Sequence, residues 1–197
     1  MQKICIYAAV LLGVMASVNA MAQHAPTVLQ SGPIEVSARY SAQISNGPTG
    51  TCGCFSLQGV AGDVSWPVTH GFGLVGDIGM EHTGNVSGTG YGLTLATYLG
   101  GLRYTYPLGP THLFAQALLG GVKGSDSQFP VNGGIATRAI SIAYSFGAGA
   151  DYPLKIKKSL SLRVLQVDYI HTSLPNNSNN WQRNLRMGAG ITYRFGR

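Results

Sequence analysis

His171-Thr172-Ser173 sets an imidazole two residues from a hydroxyl. At that spacing a histidine base can activate a serine nucleophile, provided the two side chains converge and a third group orients the ring. Glu81 and Asp168 are the carboxylates available for that task. A lone His-x-Ser at a strand-to-loop junction is more often a hydrated histidine beside a loop serine, so His171 and Ser173 stand only as alternative catalytic residues. Cys52 and Cys54 flank a single glycine. Zinc would need two further ligands at suitable spacing, and no cluster in the chain supplies them, so no metal is expected. In an exported protein the pair is expected to close a small, strained loop disulfide or to pair between chains. Gly71-Phe72-Gly73-Leu74-Val75-Gly76 matches the G-x-G-x-x-G fingerprint. That motif holds a pyrophosphate only between a strand and a helix N-terminus. Here the glycines lie inside a strand pattern with no helix after it, and no cofactor is expected.

The elements that must carry these residues repeat with a period of two, the mark of strands with unlike faces. Ile34, Val36, Ala38 and Tyr40 share one face, and Glu35, Ser37, Arg39 and Ser41 the other. The same alternation runs through 60–66, 72–82, 94–106, 139–152 and 185–195. Two segments are less clean. The stretch 113–123 is nearly apolar throughout, and its faces cannot be assigned. In 160–171, Arg163 and Asp168 fall on opposite parity, which predicts a bulge or an early strand end. Eight strands result. Trp66-Pro67, Tyr106-Pro107 and Tyr152-Pro153 each close an even-numbered strand. Proline cannot donate to the ladder and starts a tight turn. The other connections, roughly 43–55, 83–92, 124–138 and 172–184, are longer and rich in Gly, Asn, Ser and Thr. Long loops alternating with short turns predict an all-β fold, a closed eight-stranded antiparallel up-and-down barrel.

Composition says which way the barrel faces. Only 10% of the 197 residues are charged, against roughly 25% in a soluble domain, and 28 are glycine. The formal charge of +6 comes from 13 scattered Lys and Arg residues, with none of the dense basic tracts that bind nucleic acid. In the six clear strands the apolar rows carry no charge. The opposite rows hold Glu35, Arg39, Asp63, Asp77, Glu81, Arg103, Asp151, Arg186 and Arg194. With Arg163 facing inward they balance at five acids and five arginines, as a lumen only as wide as its side chains requires. The remaining cations, chiefly Lys155, Lys157, Lys158 and Arg197 on the turn side and Lys123, Arg138 and Arg183 on the loop side, fall outside it. Apolar rows wetted by lipid, a charged interior, and a rim of Trp66, Tyr106, Tyr152, Tyr193 and Phe195 predict a transmembrane barrel of a bacterial outer membrane. A soluble carrier barrel would reverse the faces.

Residues 1–22 read as a secretory signal peptide. Lys3 gives a positive start, Ile4 to Val18 is apolar, and Ala20-Met21-Ala22 is a small-x-small cleavage site. The barrel domain is then 23–197, exported to the outer membrane. No apolar run is long enough for a spanning helix.

The closing segment Gly190-Ile191-Thr192-Tyr193-Arg194-Phe195 resembles the C-terminal signal of the small eight-stranded outer-membrane β-barrel proteins, the family of OmpA-type transmembrane domains. The segments Cys52-Gly53-Cys54-Phe55-Ser56 and Asp168-Tyr169 with Asn184-Leu185-Arg186-Met187-Gly188-Ala189-Gly190 are similar to a subgroup of small barrels with little assigned function. The resemblance covers nearly all of 23–197, although Gly196-Arg197 follows the final aromatic, where many members end. It implies recognition of the last strand by the barrel-insertion machinery, and outer-membrane lipids and lipopolysaccharide as surroundings. His171-Thr172-Ser173 is also similar to the base and nucleophile of lipid A 3-O-deacylases, themselves eight-stranded barrels. That family follows the serine with Asn, whereas Leu174-Pro175 stands here.

The function expected is structural or surface-contact, without catalysis and without a nucleic-acid partner. The alternatives are a lipid A deacylase using His171 and Ser173, a narrow pore, and a soluble carrier. The ligand of the loops is not legible.

Overall fold

A computed structural model describes residues 32–46, 54–131, 133–157, 159–176 and 179–195. These form eight strands in chain order: β1 (Glu35–Asn46), β2 (Cys54–Thr69), β3 (Phe72–Thr83), β4 (Leu93–Leu108), β5 (Thr111–Val131), β6 (Gly134–Pro153), β7 (Leu160–Thr172) and β8 (Gln182–Arg194). Each pairs antiparallel with its chain neighbours, and β1 closes on β8 from Glu35 opposite Arg194 to Ser45 opposite Asn184. The closed ladder leaves no open sheet edge, the condition for crossing lipid with strands. The signal segment 1–22 and Cys52 lie outside the described residues.

The shortest strands have 12 residues. At about 3.4 Å per residue and a tilt near 40° they rise roughly 30 Å, enough for the apolar band of an outer-membrane barrel. At the end where β1 starts and β8 finishes, β2 and β3 join through His70 and Gly71, both at positive φ (48° and 82°). Two such residues match the twist of the flanking strands. Pro67, Pro107 and Pro153 all fall at that end, but β2 and β4 continue to Thr69 and Leu108 before turning. A register shift follows Pro67, where the missing N–H breaks the ladder.

One expected loop is not a loop. The segment 124–138 continues β5 and β6, which reach 21 and 20 residues, β5 ending at Val131 and β6 starting at Gly134. A register shift between Ser125 and Phe129 lets the longer hairpin bend. Its Gly, Ser and Asn content read as a loop because the alternation is diluted there by residues projecting beyond any packed face. The bulge expected in 160–171 lies between Arg163 and Gln166, and it returns Asp168 to the same side as Arg163. In the unassigned segment, Phe114, Gln116, Leu118 and Val122 point inward and Leu113, Ala115, Ala117 and Leu119 outward. Gln116, buried inside the barrel, was the residue that could have fixed the parity.

The outward rows carry large exposed apolar side chains around the circumference, among them Val60, Ile78, Leu102, Leu119, Ile142, Phe146 and Ile191. Ile78 is 68% exposed in mid-strand. So continuous an apolar surface exceeds what a soluble monomer shows and belongs against lipid.

Candidate functional site

The inward face of β1 to β3 supplies Arg39, Asp63, Asp77 and Glu81, with Glu35 at the turn-end rim. The facing strands supply Arg103, Asp151, Arg163, Asp168, Arg186 and Arg194. Alternation dictates their direction, and the small diameter of eight strands forces them to meet. Asp63 is the hub: one of its oxygens accepts from Arg39 Nη1 at 2.7 Å and from Arg163 Nη1, and its other oxygen meets Arg103 Nη2 at 2.7 Å. Ser37 Oγ donates to it as well. Asp77 bridges Arg39 and Arg186, with Arg186 Nη2 at 2.7 Å. Asp151 takes a fork from Arg163, Nε at 2.8 Å and Nη2 at 2.9 Å. Asp168 meets Arg186 Nη2 at 3.1 Å and accepts from the Gln116 and Gln166 amides at 3.0 Å. Glu35 and Arg194 pair at 2.6 Å at the turn end. The guanidiniums of Arg103 and Arg163 both lie over the Phe114 ring, 4.4 and 4.6 Å from its centroid, as cation–π contacts.

The balance differs from five against five. Because the bulge turns Asp168 inward, six carboxylates (Glu35, Asp63, Asp77, Glu81, Asp151 and Asp168) face five guanidiniums (Arg39, Arg103, Arg163, Arg186 and Arg194). Glu81 is the acid left over. Its Oε1 accepts from Ser41 at 2.8 Å and lies 3.6 Å from Arg186, while its Oε2 has no partner among the described residues. Glycine makes the room: a Cβ at Gly147 would strike the Asp168 carboxylate, and one at Gly79 would strike the Arg186 guanidinium.

Above this network lies a feature that charge counting missed. Leu57, Val86, Leu93, Leu95, Leu99, Leu118, Val122, Phe129 and Leu174 form a buried apolar cluster toward the loop end, reinforced by Val75 and Ala143. Val86 and Leu174 come from the loops and Phe129 from the long hairpin, folded in over the lumen. Gln182 fixes Leu174 by accepting from its N–H and donating to its carbonyl, both at 2.8 Å.

His171 is on the other side of the wall. It shares the outward row of β7 with Tyr169 and lies opposite Tyr144 on β6 and Arg183 on β8. Its ring stacks on Tyr144 at 4.7 Å and meets Trp181 edge-on at 4.3 Å. Ser173 Oγ is 3.3 Å from His171 Nε2. Glu81 and Asp168, the carboxylates expected to orient the ring, are inside the lumen, and Nδ1 has no partner among the described residues. The wall separates them because His171 and Asp168 differ by an odd number of strand positions. Cys54, at the start of β2, is exposed. Trp66, Tyr106, Tyr152 and Phe195 are exposed at the turn end, where Tyr193 packs edge-on to Phe195 at 4.8 Å. Among the described residues no group of three or more His, Cys, Asp or Glu is placed to hold a metal ion.

A family model described as outer membrane protein beta-barrel domain matches residues 8–195. Among solved structures, the Neisserial surface protein A superposes with a TM-score of 0.62 at 13% identity, covering 84% of this chain and 99% of that one. Ail, the attachment invasion locus protein of Yersinia pestis, gives 0.53 at 14% identity, covering 84% and 100%. The outer membrane protein OprG from Pseudomonas aeruginosa gives 0.53 at 11% identity, covering 85% and 98%. No curated protein matches the sequence significantly. At such identities the likeness shows the fold.

Proposed function

This chain belongs to the outer membrane protein beta-barrel domain family, and from that premise we propose that it is a sealed outer-membrane barrel whose outward task is surface contact through its long hairpin. The observation that carries the reading is the length of β5 and β6, 21 and 20 residues against 12 in β1 and β3. About eight extra residues per strand extend some 25 Å along the strand beyond the apolar band. The hairpin tip exposes Val131 and Ile135, the latter 65%, and Lys123 and Arg138 project outward below it. Exposed apolar residues rimmed by charge suit a protein or glycolipid contact. Exposed loops on a rigid barrel are where such function resides. The lumen serves stability: the ion network and the apolar cluster fill it, which supports a structural rather than a conducting role. Catalysis is not part of this reading, since among the described residues no carboxylate orients His171. Residues 1–22 act as the export signal, and lipopolysaccharide surrounds the outward rows.

The orientation is tested by cysteine labelling in a background with Cys52→Ser and Cys54→Ser. Ile135→Cys should react with a membrane-impermeant maleimide on intact cells. Ile156→Cys, 94% exposed in the β6–β7 turn, should react only after the outer membrane is permeabilised. The reverse pattern would place the hairpin in the periplasm and end the surface-contact reading.

A further inference from the structure

The barrel wall is closed, but the β5–β6 hairpin rises above it and has two edges of its own. The ladder between β4 and β5 stops at Thr94 opposite Ser125. The ladder between β6 and β7 stops at Ala143 opposite Thr172. Beyond those points, among the described residues, β5 and β6 pair only with each other. The two edges are unlike. The β5 edge carries Asp126 at positive φ (62°) and a bulge in which residues 126–128 stand against Thr137 alone. Pro130 has no N–H to offer there. Thr94 Oγ1 donates to the Asp126 carboxylate at 2.6 Å, and a Cβ on Gly92 would lie 3.5 Å from the Asp126 carbonyl, so neighbouring chain abuts this side. Bulges and prolines are how proteins blunt an edge. The β6 edge from Gly134 to Ile142 has neither, and no residue at positive φ. Ile135, Thr137, Ile140 and Ile142 favour extended backbone. Every second residue of this stretch turns its N–H and C=O away from β5, and no hydrogen bond from elsewhere among the described residues reaches them. After Thr172 the chain does not continue alongside: Leu174 turns inward to the apolar cluster.

We propose that the β6 edge from Gly134 to Ile142 takes an extended acidic segment of a partner protein as an added antiparallel strand. In such pairing the main chain supplies affinity and alternate side chains supply specificity. Arg138 stands at the middle of the edge, with Ala136 and Ile140 on either side of it along the same face. Lys123 opposes Ile140 and Arg138 opposes Ser125, which sets the two cations diagonally across the hairpin. Both are exposed, and neither makes an ion pair among the described residues. A carboxylate opposite Arg138, flanked by apolar residues opposite Ala136 and Ile140, complements that face. Like charges directly opposite destabilise a strand pair, which disfavours a second copy: antiparallel self-pairing of 134–142 sets Arg138 against Arg138. The inference names a partner for the surface contact proposed above. It rests on that reading for the side from which the partner comes, whereas the pairing itself does not.

The test uses the full barrel chain, nitrogen-15 labelled and folded in detergent, with backbone amides followed by NMR. The probe is the capped peptide Thr-Val-Thr-Glu-Thr-Val-Thr. It should shift the amides of 134–142 saturably, with a Kd of about 1 mM or below, and slow their exchange with deuterated water. A peptide with Lys in place of Glu should bind about fivefold more weakly or worse. Of two peptides N-methylated at alternate residues, one should lose binding and the other keep it, because only one set of N–H groups faces β6. Arg138→Glu should reverse the preference between the Glu and Lys peptides while the protein keeps its heat-dependent gel mobility; if that variant fails to fold, the peptide series on the unmodified chain decides. The proposal is overturned if no peptide shifts 134–142, if the Glu and Lys peptides bind equally, or if both N-methylated peptides bind. Concentration-dependent protection of 134–142 without peptide would show a second copy on the edge and overturn it too. Peptide binding with Ile135→Cys labelled only from the periplasm would end the surface-contact reading and leave the pairing standing; external labelling without peptide binding would do the reverse.

Discussion

Asp63 and Glu81 are both buried acids of the lumen, yet their environments predict opposite sensitivity. Asp63 answers three arginines, and neutralising it takes from Arg103 the carboxylate it pairs with and weakens the hold on Arg39 and Arg163, which keep Asp77 and Asp151. Breaking a buried pair by removing one partner costs about 3–5 kcal/mol. Glu81 is the surplus acid with an unpartnered oxygen. Glu81→Gln keeps an acceptor for Ser41 and should cost about 1 kcal/mol or less. Urea unfolding in detergent or lipid, read by the folded band on unheated gels, should rank Asp63→Asn far below Glu81→Gln. Equal losses would contradict the hub assignment. At this scale the charged lumen residues were legible, since alternation alone sends an even-spaced set inward. The surplus was not, because the inward turn of Asp168 depends on where the bulge falls. The geometry of His171 was equally hidden: spacing brought Ser173 near, but only the parity of β7 shows that the carboxylates are behind the wall.

At the scale of elements, the outward surface of the barrel carries two environments. Ile78 in mid-β3 and Ile135 near the tip of the β5–β6 hairpin are 68% and 65% exposed. Exposure does not distinguish them, but the solvent should. An arginine at Ile78 would face hydrocarbon and cost about 2–4 kcal/mol, falling to about 0–1 kcal/mol outside the membrane, as at Ile135. Folding yields into lipid vesicles of Ile78→Arg and Ile135→Arg should separate accordingly; an equal effect would put the hairpin in the membrane. The sequence marked eight strands and their order, because a two-residue period needs only local residues. It missed the extension of β5 and β6 through 124–138, where Gly, Ser and Asn leave little contrast between faces.

Across the whole molecule, eight strands enclose only side chains. The ion network fills one part of the lumen, and an apolar cluster from β2, β4, β5 and the loops covers it. Purified protein in planar bilayers should therefore show no stable open-channel step. A steady ohmic conductance in the unmodified chain would show that the seal leaks. What the sequence determined by itself is the architecture and the sidedness of the wall: strand count, strand order, and a charge-free row against a charged one. Those are consequences of a local period and of the cost of placing charge in lipid. What only the tertiary structure decided is who meets whom. Arg39 joins Asp63 and Asp77 from two other strands, and Phe129 and Leu174 fold in over the lumen. Those contacts depend on register and closure around the barrel, which couple residues far apart in the chain and leave no trace in a local pattern.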